Sequence, residues 1–290
     1  MPIEFHCYVC GQRLRVADEH AGQRARCPQC EAVLDIPRTV HVDSPIVLTE
    51  ARPAADVIDY LILGTESQYV EVILDPGEVA IAEAGSLLYL HGGIEMEMLG
   101  DPALGQPSSG IWRRLTSPGR QILSAESLNF TAFYNAAHKR QTVAFAPPWS
   151  AKLLPIHLDQ FERELLCLKD SFLCAARGIE ISIAHQKHNV ARALGRHGFA
   201  LLRLVGDGIA ILLAGGMLIH RKLADGETIH LEATSVVAMT AGIQFQFCDK
   251  PGVKNAFLDG RDLMLAAVTG PGNVWLQSLP MTRLAGRVLA

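Results

Sequence analysis

The stretch "SLLYLHGGIEMEM", residues 86–98, runs from a serine through apolar positions to a Gly-Gly turn and a short alternating tail. The chain writes a version of it again as "SFLCAARGIEISI" at 171–183 and as "SVVAMTAGIQFQF" at 235–247. The second and third copies lie 64 residues apart, and the offset holds without a gap. Ser171 matches Ser235, Gly178 matches Gly242, Ile179 matches Ile243, Gly206 matches Gly270 and Leu212 matches Leu276. The first copy precedes the second by 85 residues, and the excess lies mainly in an insertion around 99–116. A fixed offset sustained over more than forty residues marks one supersecondary unit used repeatedly.

Within each copy the pattern is that of short strands. "EISIAH" (180–185) and "IQFQFC" (243–248) alternate at period two, as half-buried strands do. "FALLRLVGDGIAILLA" (199–214) and "LMLAAVTGPGNVWLQS" (263–278) read as hairpins around a Gly-x-Gly turn. Helix is confined to the residues just before Leu123, Leu194 and Leu258. Ser86, Ser171 and Ser235 recur where a serine at a strand start satisfies a neighbouring backbone group. The fold class is therefore all-β: three tandem small β-sandwich or barrel repeats in a pseudo-threefold arrangement, over 57–155, 156–222 and 223–290.

The totals agree with a globular protein. Of 290 residues 49% are hydrophobic, and the formal net charge is −4, which argues against a surface that tracks nucleic acid along its whole length. No apolar run reaches the ~18 residues of a spanning helix, and "IAILLAGGMLI" (209–219) is broken by Gly-Gly. The N-terminus lacks the basic start and apolar centre of a secretory signal. These features predict a cytoplasmic protein, at most peripheral to a membrane.

Residues 1–38 read separately, as a zinc ribbon. Cys7-x-x-Cys10 and Cys27-x-x-Cys30, with sixteen residues between the pairs, have the spacing of two knuckles that close a four-thiolate tetrahedron. A segment this short buries too little surface to fold alone, so one structural zinc ion is the expected staple. Gly11 follows the first knuckle, where positive φ is useful, and Glu31 takes the matching place after the second. Cys167, Cys174 and Cys248 sit among apolar residues and read as small buried hydrophobes. Residues 39–56, with Pro45 and Pro53, read as a linker with a short strand at 46–48.

Two basic features are candidates for binding. Arg13 and Arg15, then Arg24 and Arg26, alternate so as to share one face of neighbouring ribbon strands, which would welcome an anion. In residues 1–40, however, five Arg are balanced by five acidic residues. The second feature is the segment before each late strand pair, which mixes cations with apolar residues. It carries Arg113, Arg114 and Arg120 beside Trp112, then Lys187 and Arg192 beside Val190, then Lys254 beside Phe257. Pseudo-threefold symmetry would bring these segments to one rim, suited to an anionic membrane face or an acidic protein partner.

The sequence offers little to an enzyme. His185, His188 and His197 could hold a metal, but the aligned positions in the third copy are Asp249, Gly252 and Arg261, and no carboxylate stands close by as a base. There is no Gly-x-Ser-x-Gly elbow, phosphate loop or dinucleotide fingerprint. No catalytic residue is assigned.

From Asp59 to Arg287 the chain resembles the mitochondrial-biogenesis family named for altered inheritance of mitochondria. The residues that carry the likeness are "YVEVILDPGEVAIAEAGSLLYLHGGIEME" (69–97), "VAFAPP" (143–148) and "TGPGNVWLQSLPMTRLAGR" (269–287). The resemblance implies three fused copies of the fold of the tryptophan-responsive RNA-binding attenuation protein, and a membrane-associated organising role. It carries over no catalytic residue. A Gly-Glu-Gly-like loop element expected from the family is replaced by Ala125-Glu126-Ser127, Arg196-His197-Gly198 and Arg261-Asp262-Leu263. The expectation is a non-enzymatic binding or scaffold protein that engages a membrane surface or protein assembly. The alternative is a nucleic-acid-binding protein that uses the ribbon arginines.

Overall fold

The computed structural model describes residues 3–6, 12–20, 22–36, 55–99, 130–184, 199–247 and 265–281. Their regular elements are strands and isolated turns of 3-10 helix, and every ladder is antiparallel. Near the N-terminus β1 (Ile3–His6) pairs with β2 (Arg13–Val16), and β3 (Arg24–Arg26) pairs with β4 (Val33–Asp35). The linker expected at 39–56 and the strand at 46–48 lie outside the described residues, apart from Ala55 and Asp56.

From Ala55 on, the described residues open with β5 (Asp59–Leu63) and continue in three groups of six described strands. The first is β6 (Tyr69–Leu74), β7 (Val79–Glu83), β8 (Leu87–Leu90), β9 (Ile94–Leu99), β10 (Phe130–Asn135) and β11 (Gln141–Phe145). The second is β12 (Ala151–His157), β13 (Glu164–Leu168), β14 (Phe172–Ala176), β15 (Glu180–Ile183), β16 (Leu201–Val205) and β17 (Ile209–Gly215). The third is β18 (Leu218–Leu223), β19 (Thr228–Glu232), β20 (Val236–Thr240), β21 (Gln244–Phe247), β22 (Leu265–Thr269) and β23 (Gly272–Gln277).

Pairing is the same in each group. The sixth strand lies between the first and third, and the fifth lies between the second and fourth. Each group thus contributes two three-stranded halves. Halves from successive groups then merge, giving six-stranded sheets of order β12-β17-β14-β7-β10-β9 and β15-β16-β13-β20-β23-β18. Two halves stay at the ends, as the four-stranded sheet β5-β6-β11-β8 and the three-stranded sheet β19-β22-β21.

This topology overturns the reading of the Gly-x-Gly segments as hairpins. β16 and β17 flank Gly206–Gly208, yet β16 pairs with β13 and β15 while β17 pairs with β12 and β14. The turn carries the chain from one sheet to the sheet packed against it. The opening phrase does the same, since β8 pairs with β11 and β9 with β10. Gly93 (φ 102°) and Gly178 (φ 98°) supply the left-handed position that such a tight corner needs. The next residue, Ile94, Ile179 or Ile243, is buried in the core.

Three cores fill the spaces between the four sheets. β17 explains why its sequence is apolar at every position: it is covered on both faces. Ala210, Leu212 and Ala214 face the core between the two six-stranded sheets, with Phe172 and Leu202. Ile209, Ile211 and Leu213 face the opposite core, with Val70, Val72 and Phe145. The third core joins Met239 and Val274 to Val268. β6 faces a core on one side only, so Val70, Val72 and Leu74 are buried and Tyr69, Glu71 and Ile73 are half-buried.

Asp56 fastens the first described residues of the large body to it. Its carboxylate accepts the Val79 amide at 3.0 Å and Arg177 Nη2 at 2.8 Å, while the Ala55 amide donates to Asp207 Oδ1 at 2.8 Å. The serine expectation holds at Ser86, whose hydroxyl donates to the Glu83 carbonyl at 2.7 Å. It fails at Ser171: that hydroxyl is buried without a hydrogen-bond partner, because no acceptor reaches it inside the core.

Candidate functional site

The second Cys-x-x-Cys pair is described in atomic detail. Cys27 is buried against Leu34, with Leu14, Cys30 and Ala32 packed around it. The Glu31 amide donates to the Cys27 carbonyl at 2.8 Å, and the Cys27 amide donates to the Ala32 carbonyl at 2.8 Å. These bonds fold Cys27–Cys30 into a tight turn. Glu31 takes φ 58°, a backbone conformation that non-glycine residues rarely adopt. Cys7 and Cys10 lie outside the described residues. Among the described residues no cluster of three or more His, Cys, Asp or Glu could hold a metal.

Arg13, Arg15, Arg24 and Arg26 are all exposed, and they alternate with half-buried Leu14 and Ala25. They are not on paired strands, however. Arg13 and Arg15 lie on β2, which pairs with β1, whereas Arg24 and Arg26 lie on β3, which pairs with β4. The register sets Arg15 opposite Glu4 and Arg24 opposite Asp35. Among the described strands the two arginine pairs therefore lie in different ladders. Each Arg pair belongs to its own hairpin because the turn at 18–20 separates the two ladders.

Arg113, Arg114, Arg120, Lys187, Arg192 and Lys254 lie outside the described residues, as do His185, His188 and His197. The strands that bound their segments are described, and they are equivalent. Each segment joins the fourth strand of its group to the fifth, and those two strands are ladder partners. Leu99 stands opposite Phe130, Ile183 opposite Leu202 and Phe247 opposite Ala266. Phe199, just before β16 of the second group, clusters with Phe245 and Phe247 on β21 of the third, with ring centroids 5.2–5.7 Å apart.

Inside the body, Glu83 ends β7 near Asp170, and burial followed by repulsion from Asp170 pushes its carboxyl up to about 7. Burial likewise raises Glu78 to about 7, against the opposing effect of the Asp75 amide that donates to Oε2 at 2.7 Å. Cys167 and Cys174 are fully buried, and burial raises both thiols. They are inert core residues, as read from the sequence.

One surface was not foreseen. β8 exposes Leu87, Leu88 and Tyr89 at the edge of the four-stranded sheet, with the Tyr89 hydroxyl donating to Glu71. Nothing in the composition of "LLYL" separates it from the buried "FLCAA" of β14. No helix among the described residues is long and apolar enough to cross a membrane.

Comparison with known proteins places the chain in a family. Residues 60–279 match the family described as Mitochondrial biogenesis AIM24, and the chain belongs to it. The crystal structure of a Streptococcus pyogenes protein, SPYM3_0169, is similar with a TM-score of 0.61 at 18% identity. That similarity covers 80% of this chain and 98% of the other, and at this identity it shows the fold alone. No curated protein matches.

Proposed function

We propose that this member of the Mitochondrial biogenesis AIM24 family is a non-enzymatic binding and scaffold protein that engages an anionic membrane surface from the cytoplasm. The observation that carries the reading is the repeated fourth-to-fifth strand connection. In all three groups it is this connection that holds the mixed basic and apolar sequence. In this reading the all-β body is three tandem copies of the attenuation-protein-like unit joined in an open row, not the closed pseudo-threefold expected from the sequence, because β8 and β19 end separate sheets, and the row carries the three segments along one rim. Arg113, Arg114, Arg120, Lys187, Arg192 and Lys254 attract the anionic surface, and Trp112, Val190 and Phe257 insert among the headgroups. Each cation contributes about 1 kcal/mol or less near a charged membrane, so several must act together.

The ribbon completes the proposal. Cys7, Cys10, Cys27 and Cys30 hold one structural zinc ion, supported by the tight Cys27–Cys30 turn and the positive φ of Glu31. Four thiolates leave no open position on the metal for chemistry. Metal analysis is expected to return one zinc per chain and less than half of that in Cys27→Ser.

Flotation with liposomes tests the membrane reading. Salt-sensitive flotation with anionic but not neutral vesicles is expected, lost when the six cations are changed to Gln. Absence of flotation would overturn it and favour a protein partner. The exposure of Arg13, Arg15, Arg24 and Arg26 favours a second reading, nucleic-acid binding by the ribbon. Its mark would be a steep salt dependence of RNA or DNA retention that disappears when these four become Ala.

A further inference from the structure

The two places where successive groups merge are made alike. At the first, β14 pairs with β7, with Cys174 opposite Ala82, Ala175 opposite Ile81 and Ala176 opposite Ala80. At the second, β20 pairs with β13, with Ala238 opposite Cys167, Met239 opposite Leu166 and Thr240 opposite Leu165. In both, the third strand of one group adds to the second strand of the group before it. The registers are identical once the sequence offsets of 64 and 85 residues are applied.

One strand of each kind is left over. β8 is the third strand of the first group and β19 the second strand of the last, and both end their sheets, with no partner on the outer side among the described strands. The two sheets share no core: β8's sheet packs on the first six-stranded sheet and β19's on the second. The bulge that precedes the pairing residues is present in all three third strands, at Leu88, Leu173 and Val237. Leu173 and Val237 are 0% exposed, whereas Leu88 is 52% exposed. An open edge with apolar side chains is an adhesive surface unless something covers it.

We infer that β8 of one copy of this chain pairs antiparallel with β19 of a second copy, reproducing between molecules the junction that the chain already makes twice within itself. The offsets fix the register: Tyr89 faces Leu231, Leu90 faces His230 and His91 faces Ile229 of the next copy. The contact joins two different surfaces, so each copy keeps one free edge until the series closes into a ring. This assembly is independent of the membrane reading and goes beyond it.

Cysteine pairing in trans tests the register, because ladder partners lie ~4.5–5.5 Å apart at Cα, within disulfide range. Full-length Tyr89→Cys and Leu231→Cys chains, co-expressed with different tags and mildly oxidised, are expected to form a covalent heterodimer. Neither variant expressed alone should exceed the cross-linking of the parent chain. Absence of the heterodimer overturns the inference, as does a double variant that closes only within its own chain. Light scattering adds a check that needs no cysteine. The parent is expected at a whole-number multiple, two or more, of 31.5 kDa, and Leu88→Asp at 31.5 kDa with an unchanged circular dichroism spectrum. A parent that is monomeric at micromolar concentration also overturns it.

Discussion

β8, β14 and β20 occupy the same place in their groups, carry the same bulge and precede the same kind of corner, yet the chain treats them differently. β14 is buried along its whole length and β20 along all but its last residue, because each sits inside a six-stranded sheet with a neighbouring group on its outer side. β8 has the same kind of sequence and no such neighbour among the described strands, and its first three residues are exposed. Burial here is a property of the junction. The apolar character of "LLYL" records a surface made to be covered, and position in the series decides whether this chain covers it.

The largest expected effect sharpens that contrast. Leu173→Asp places a carboxylate in a closed core and is expected to cost about 4 kcal/mol or more, enough to abolish cooperative unfolding in a thermal melt. Leu88→Asp at the equivalent place is expected to change the stability of the dissociated chain by no more than ~0.5 kcal/mol. Equal losses at the two positions would break the comparison.

The corners that follow these strands differ in what a side chain there would meet. A Cβ on Gly178 would lie 2.6 Å from the Ala55 Cα, and Gly178 also has φ 98°. Gly178→Ala is therefore expected to cost about 3 kcal/mol in urea unfolding. At Gly93 the near atom is the Ala137 methyl at 2.9 Å, a side chain and not backbone. Gly93→Ala is expected to cost about 2 kcal/mol, most of it from the positive φ.

A smaller effect belongs to β7, the strand that covers β14. Glu83 has its folded-state carboxyl at about 7 against 4.5 for the free group, so the folded state holds the proton more tightly. Its contribution to stability is complete below pH 4.5 and is lost as the pH rises through 7. Glu83→Gln is expected to be more stable than the parent at pH 8 and to flatten the fall in melting temperature between pH 5 and 8. Smallest of all, a metal chelator is expected to leave the melting temperature of the large β body unchanged, since the N-terminal strand pairs have a core of their own around Cys27 and Leu34.

Much of the fold was legible because two physical signals are local. The 64-residue offset and the period-two runs locate strands, since alternation records which face meets a core. Partner choice is not local. Gly206–Gly208 looks the same in sequence whether it closes a hairpin or turns the chain into the facing sheet, and only the destinations of β16 and β17 decide. The same limit hid the edge at β8, because an apolar strand does not announce whether its neighbour lies in the same molecule. Near the N-terminus, the spacing of Cys27 and Cys30 marked a tight turn, but not the division of the arginines between two ladders.

Hydrogen exchange read by mass spectrometry on the peptides spanning β8, β14, β19 and β20 tests the account most directly. The account predicts slow exchange in β14 and β20 at every protein concentration. It also predicts protection of β8 and β19 that rises together with concentration and is lost from both in Leu88→Asp. Protection of β8 and β19 that is the same in the parent and in Leu88→Asp, at all concentrations, would contradict it.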